Sequence, residues 1–85
     1  MKDFKWNPTK SIRLKKSRGV SFEDIIKSEL VDILEHPRRP EQMYMLFLHK
    51  KYIWVVPAVE ESDYIFFKTL YASRKYTKKY KENNS

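Results

Sequence analysis

The 85 residues carry 18 Lys/Arg against 11 Asp/Glu, a formal net charge of +7, with 41% hydrophobic residues, 15% aromatics and no cysteine. A chain of this length supports one domain with a single small core, and without cysteine that core has neither a disulfide framework nor a thiolate metal site to support it. No stretch approaches the roughly 18 consecutive apolar residues of a membrane helix, and the opening MKDFKWNPTK lacks the apolar run of a signal peptide, so the expectation is a cytoplasmic protein with no membrane partner.

Charge is unevenly spread along the chain. Residues 1–20 hold seven Lys/Arg and one acid, residues 21–70 six against nine, and residues 71–85 five against one. Two basic ends therefore flank a mildly acidic middle. If folding brings the ends together, they form one positive face able to displace counterions from a phosphate backbone. The alternative is that lysine-rich ends only keep a small protein soluble.

In chain order, Asn7 before Pro8 is a helix start: the Asn side chain accepts from an orphan backbone N–H, and proline loses nothing at the first helical position. The first helix is expected from Pro8 to about Ser17. Gly19, the one glycine of the chain, suits a left-handed cap behind it. Ser21 opens a second helix with Glu23 and Asp24 in its first turn, where the macrodipole favours negative charge. Phe22, Ile25, Ile26 and Leu30 recur at helical spacing as its buried face.

The period then changes to alternation. LVDILEH reads as a strand with Val31, Ile33 and Glu35 on one side and Asp32, Leu34 and His36 on the other, interrupted by the prolines of HPRRPEQ. MYMLFLH and YIWVVPA, separated by Lys50 and Lys51, read as a hairpin without a favoured Asn-Gly turn. Pro57 belongs at a bulge or strand end, because it cannot donate to a ladder. EESD makes the next turn and YIFFKTLYA the fourth strand. The pattern specifies an α+β domain over residues 1–80: two N-terminal helices on a four-stranded antiparallel sheet, then a short basic helix or tail, with residues 81–85 disordered.

SRKYTKKY, residues 73–80, interleaves cations with tyrosines. Such a surface suits RNA, where phosphates meet Lys/Arg and unstacked bases meet aromatic rings. Arg74 is the first candidate for holding a phosphate, since its rigid fork grips two oxygens and stays ionised. Lys68 shares its parity along an unbroken fourth strand. Lys75, Lys78 and Lys79 extend the patch, and Lys10, Arg13 and Lys15 on the first helix are expected to complete it from the other end. Tyr76 and Tyr80 are open to two readings, packing on the sheet or stacking on RNA, while Trp6 reads better as a core residue. His36 and His49 are the side-chain type whose ordinary pKa lies near neutrality and are candidate proton carriers, although each also fits a strand end or hairpin tip. The histidines and scattered carboxylates do not have the spacing of a metal site.

Two stretches carry a resemblance. FKWNPTKSIRLKKSRGVSFEDI is similar to the N-terminal signature of BrnT-type toxins of bacterial type II toxin–antitoxin systems, through Phe4, Trp6, Asn7, Pro8, Lys10, Gly19, Val20, Ser21, Phe22 and Glu23. KTLYASRKYTKKY resembles the segment closing those toxins, through Arg74, Lys75, Thr77, Lys78 and Lys79. The resemblance implies a RelE-like fold and a cofactor-free, metal-independent endoribonuclease that inhibits growth by cutting RNA through attack of the ribose 2′-OH. It also implies a small cognate antitoxin protein that binds the toxin in a hetero-oligomer and contacts operator DNA on its behalf. The chain departs from the commoner ending, which has Ala and Glu where Tyr76 and Tyr80 stand, and its last-strand basic residue is offset by about one position. An RNA-binding or regulatory subunit without efficient cleavage is the alternative.

Overall fold

A computed structural model describes residues 2–83. Its elements are β1 (Asp3–Lys5), α1 (Pro8–Arg18), α2 (Phe22–Ile26), β2 (Glu29–Glu35), β3 (Gln42–His49), β4 (Tyr52–Glu60), β5 (Tyr64–Phe67), β6 (Tyr71–Ala72) and α3 (Arg74–Asn83). Among the described residues the architecture is α+β, with three helices and an open, mostly antiparallel sheet of six strands. Its order is β1-β5-β4-β3-β2, with β6 paired to β4 beside β5.

The helix boundaries follow local chemistry. The Asn7 side chain accepts from the backbone N–H groups of Thr9 and Lys10, and Gly19 caps α1 at φ 79° while its N–H donates to the Lys15 carbonyl. Ser21 and Asp24 form a reciprocal capping box at α2. This helix is shorter than the apolar spacing suggests: it ends at Ile26, and Leu30 lies in β2. Ser73 caps α3, its hydroxyl accepting from Tyr76 N–H and its carbonyl from Thr77 N–H. α3 reaches Asn83, three residues into the segment expected to be disordered; residues 84 and 85 lie outside the described residues.

The expected four strands become six for two physical reasons. β1 was not legible as a strand; it runs parallel to β5, with Phe4 opposite Ile65, and its ring stacks 5.0 Å from Phe67. The expected fourth strand, residues 64–72, is broken by a bulge. Lys68 N–H donates to the Pro57 carbonyl and Tyr71 stands opposite Val55, so Thr69 and Leu70 occupy the length that β4 spans with Val56 alone. Leu70 turns its side chain into the core, fully buried, and its carbonyl accepts from the Arg18 guanidinium. Pro57 sits inside β4, not at its end, and its missing N–H faces this bulge, where the ladder is already interrupted. Another bulge at Val31 shifts the β2–β3 register, so that Val31 shares a side with Leu34, contrary to simple alternation.

Both sheet faces are packed. One, here the helix face, joins Leu14, Phe22 and Ile25 to Met45, Phe47, Val56 and Phe67. The opposite face joins Leu46, Ile53 and Val55 to Tyr76 and Tyr80 of α3. Thr77 pins α3 there: its buried hydroxyl accepts from Ile53 N–H and donates to the Ser73 carbonyl. The two basic termini therefore cover opposite faces of the sheet. Among the described residues no helix is long and apolar enough to cross a membrane.

Candidate nucleic-acid interface

α3 covers only part of its face, and the remainder gathers aromatic and cationic side chains. Pairing of Tyr44 with Pro57, and of Tyr71 with Val55, puts all four on the α3 side. Lys68 follows Phe67 of the helix face in the pleat, so alternation assigns it to the α3 side as well. Because the bulge inserts one residue, Lys68 and Tyr71 share a face despite their odd separation. Tyr71 keeps 40% of its surface open. Its hydroxyl is held above its usual pKa, by partial burial first and then by Tyr44 and Tyr76; those two pack on the Leu46–Ile53–Val55 cluster, and Tyr71 stands opposite Val55 of the same cluster.

The first turn of α3 borders this group. Arg74 and Lys75 occupy its first two positions, with no acid in that turn. The positive end of the helix dipole thus meets two fixed cations, an arrangement that opposes helix formation and favours a bound anion. Lys75 Nζ lies 5.4 Å from the centre of the Tyr76 ring, and Arg74 is exposed.

On the opposite margin, at the end of β2, the His36 ring lies 5.8 Å from Tyr44. His36 Nδ1 accepts from Arg38 N–H at 3.1 Å. In the neutral ring this leaves the proton on Nε2, which is ready to donate to an anion but not to accept a proton. His49 is elsewhere: its Nδ1 bonds the Ser28 hydroxyl at the β3–β4 hairpin.

The fold brings Lys68, Arg74, Lys75, Tyr76 and His36 to one face. It sends Lys10, Arg13 and Lys15 to the other, where Lys10 and Arg13 line a separate shallow groove along α1. Lys15 is engaged with Asp24 at 2.7 Å. The parity linking Lys68 to Arg74 does not exist, because the bulge and the start of α3 lie between them. Tyr80 packs on Leu46 and Ile53 and, with Lys79, lines a groove between α3 and β2; Lys78 is exposed on α3. Sequence reasoning missed Tyr44 and Tyr71. Their signal was aromatic residues at strand positions facing a side that no N-terminal helix covers.

The N-terminal signature is accounted for by packing. Trp6 stacks 5.9 Å from Phe67 and lies 5.9 Å from Phe22. Asn7, Gly19 and Ser21 are helix caps. Ser11 accepts from Phe22 N–H and donates to Glu23. That bond, followed by smaller contributions from backbone, Trp6 and Ser21, holds the Glu23 carboxyl below its usual range.

No protein-family profile, curated protein or solved structure matches the chain.

Proposed function

We propose that the protein is the toxin of a type II toxin–antitoxin pair with a RelE-like fold, an endoribonuclease acting in the cytoplasm on RNA bound to the open part of its sheet. A cognate protein antitoxin neutralises it and carries the complex to operator DNA. The observation that carries the RNA reading is the acid-free first turn of α3, with Arg74 and Lys75, set beside the Tyr44–Tyr71–Tyr76 group. Phosphates satisfy the cations, and bases stack on the tyrosines. Arg74 grips the phosphate attacked by the neighbouring 2′-OH, Lys68 adds charge against the developing phosphorane, and His36 Nε2–H hydrogen-bonds a phosphate oxygen; as the P–O5′ bond breaks, the 2′-OH proton passes to water and the 5′-oxygen takes a proton from water.

Two observations favour the second reading, an RNA-binding or regulatory subunit that does not cut. His36 Nδ1 is already occupied by the Arg38 N–H, and the position of a carboxylate in the resembled ending is held by a tyrosine. Induced expression of the wild type beside Arg74→Ala, scoring growth and mapping new RNA 5′ ends, separates the two. Growth arrest and new ends with the wild type alone support the toxin. Salt-sensitive RNA binding without new ends transfers the proposal to the binding subunit, and no RNA binding overturns the toxin and the RNA-binding readings, leaving the regulatory subunit.

A further inference from the structure

The sheet ends at β2, a seven-residue edge strand. Three of its residues are acids, Glu29, Asp32 and Glu35, in a chain of net charge +7. Acids and a bulge are common guards against uncontrolled pairing, and Asp32 Oδ1 accepts from the edge N–H of Ile33 at 2.8 Å. Guarding does not account for what flanks the edge. On the helix face, Ile26, Leu30 and Ile33 are 40%, 41% and 48% exposed, forming an uncovered apolar row. On the other face, a groove of about 420 Å³ opens between β2 and α3, floored by Val31, Leu34 and Leu46, walled on the β2 side by Glu29 and Asp32 and on the α3 side by Tyr76, Lys79 and Tyr80, so that its strand edge is acidic and its helix wall carries one lysine.

A strand added along β2 resolves both features, because its side chains alternate between the two faces and cover the apolar row with one set and enter the groove with the other. The acids decide whose strand it is. Full-length antiparallel pairing with a second copy centres on Asp32, opposing Asp32 to Asp32 and Glu29 to Glu35, and like charges directly opposite are unfavourable. Nucleic acid is repelled by the same carboxylates. We propose that the β2 edge docks a basic β-strand of a partner protein, one carrying apolar and Lys/Arg side chains on both of its faces. This inference does not rest on the RNA reading: the acids that carry it, Glu29, Asp32 and Glu35, belong to β2, although Tyr76 lines the groove as well as the RNA-facing group.

The test uses the full chain, isotopically labelled, and a blocked octapeptide, Val-Val-Lys-Lys repeated twice, beside its Val-Val-Glu-Glu counterpart. The Lys peptide is expected to shift the amides of residues 29–35 and Ile26 and to slow exchange of the Ile33 and Glu35 amides. The Glu peptide is expected to leave them unchanged. Combining Glu29→Lys with Glu35→Lys, both exposed and outside the core, is expected to weaken the Lys peptide about tenfold or more and to recruit the Glu peptide. The proposal is overturned by absence of binding, by shifts centred on α1 or α3, by equal affinity for both peptides, or by concentration-dependent protection of β2 in the protein alone, which would assign the edge to a second copy.

Discussion

Glu23 and Asp24 show how neighbouring carboxylates can serve the fold and make it sensitive to acid. Asp24 closes the capping box with Ser21 and receives Lys15, and these bonds, led by Lys15, hold its carboxyl far below the ordinary range. Glu23 is lowered chiefly by the Ser11 hydroxyl. A carboxylate whose pKa falls on folding stabilises the native state above its unfolded value, about 3.9 for Asp and 4.3 for Glu, and that contribution is lost as pH falls through the folded value. Urea midpoints should therefore show no change from these two groups between pH 7 and 5 and a decline beginning near pH 4, with Asp24→Asn losing part of that slope. Gly19 is limited by backbone alone. A Cβ there meets nothing within 4 Å, but φ is 79°, so Gly19→Ala should cost roughly 1–2 kcal/mol in urea unfolding.

The β3–β4 hairpin turns through Lys50 and Lys51 at φ 52° and 67°. Two consecutive left-handed residues are the geometry of a type I′ turn, for which Asn-Gly is far better suited. Replacing the pair with Asn-Gly is expected to raise unfolding free energy by about 1–2 kcal/mol, without altering RNA binding if the turn serves only to close the hairpin. A loss of RNA affinity in that variant would give the two lysines a role in the interface. The caps of α1 and α2 were legible because Asn7, Pro8, Gly19 and Ser21 act on backbone groups within four residues of themselves. The β5–β6 bulge was not, because YIFFKTLYA alternates acceptably as one strand, and only burial of Leu70 beneath α1 and its carbonyl bond to Arg18 force the extra residue.

Across the molecule, the two basic ends lie on opposite faces, which makes their contributions separable. If RNA occupies the α3 side of the sheet, Arg74→Ala should weaken binding and lower the slope of log affinity against log salt by about 0.7, the value for one lost phosphate contact on a single strand. Lys10→Ala with Arg13→Ala should leave that slope unchanged. Fluorescence anisotropy with a short single-stranded RNA over a salt series checks both. Equal losses from the two variants would show RNA wrapping around the sheet edge.

The amino-acid order by itself determined the caps of α1 and the start of α2, the β3–β4 hairpin, the α+β class and the candidacy of Arg74, since each depends on chemistry within a few residues. Tertiary structure alone decided which candidates meet. Pairing across β4 put Tyr44, Tyr71 and Lys68 on one side, and Thr77 docked α3 against Ile53, bringing Arg74 to that side and leaving Lys10 and Arg13 behind the sheet. The physical reason is that strand register and helix placement are set by burial on both faces at once, a condition between residues far apart in the chain that no local pattern records.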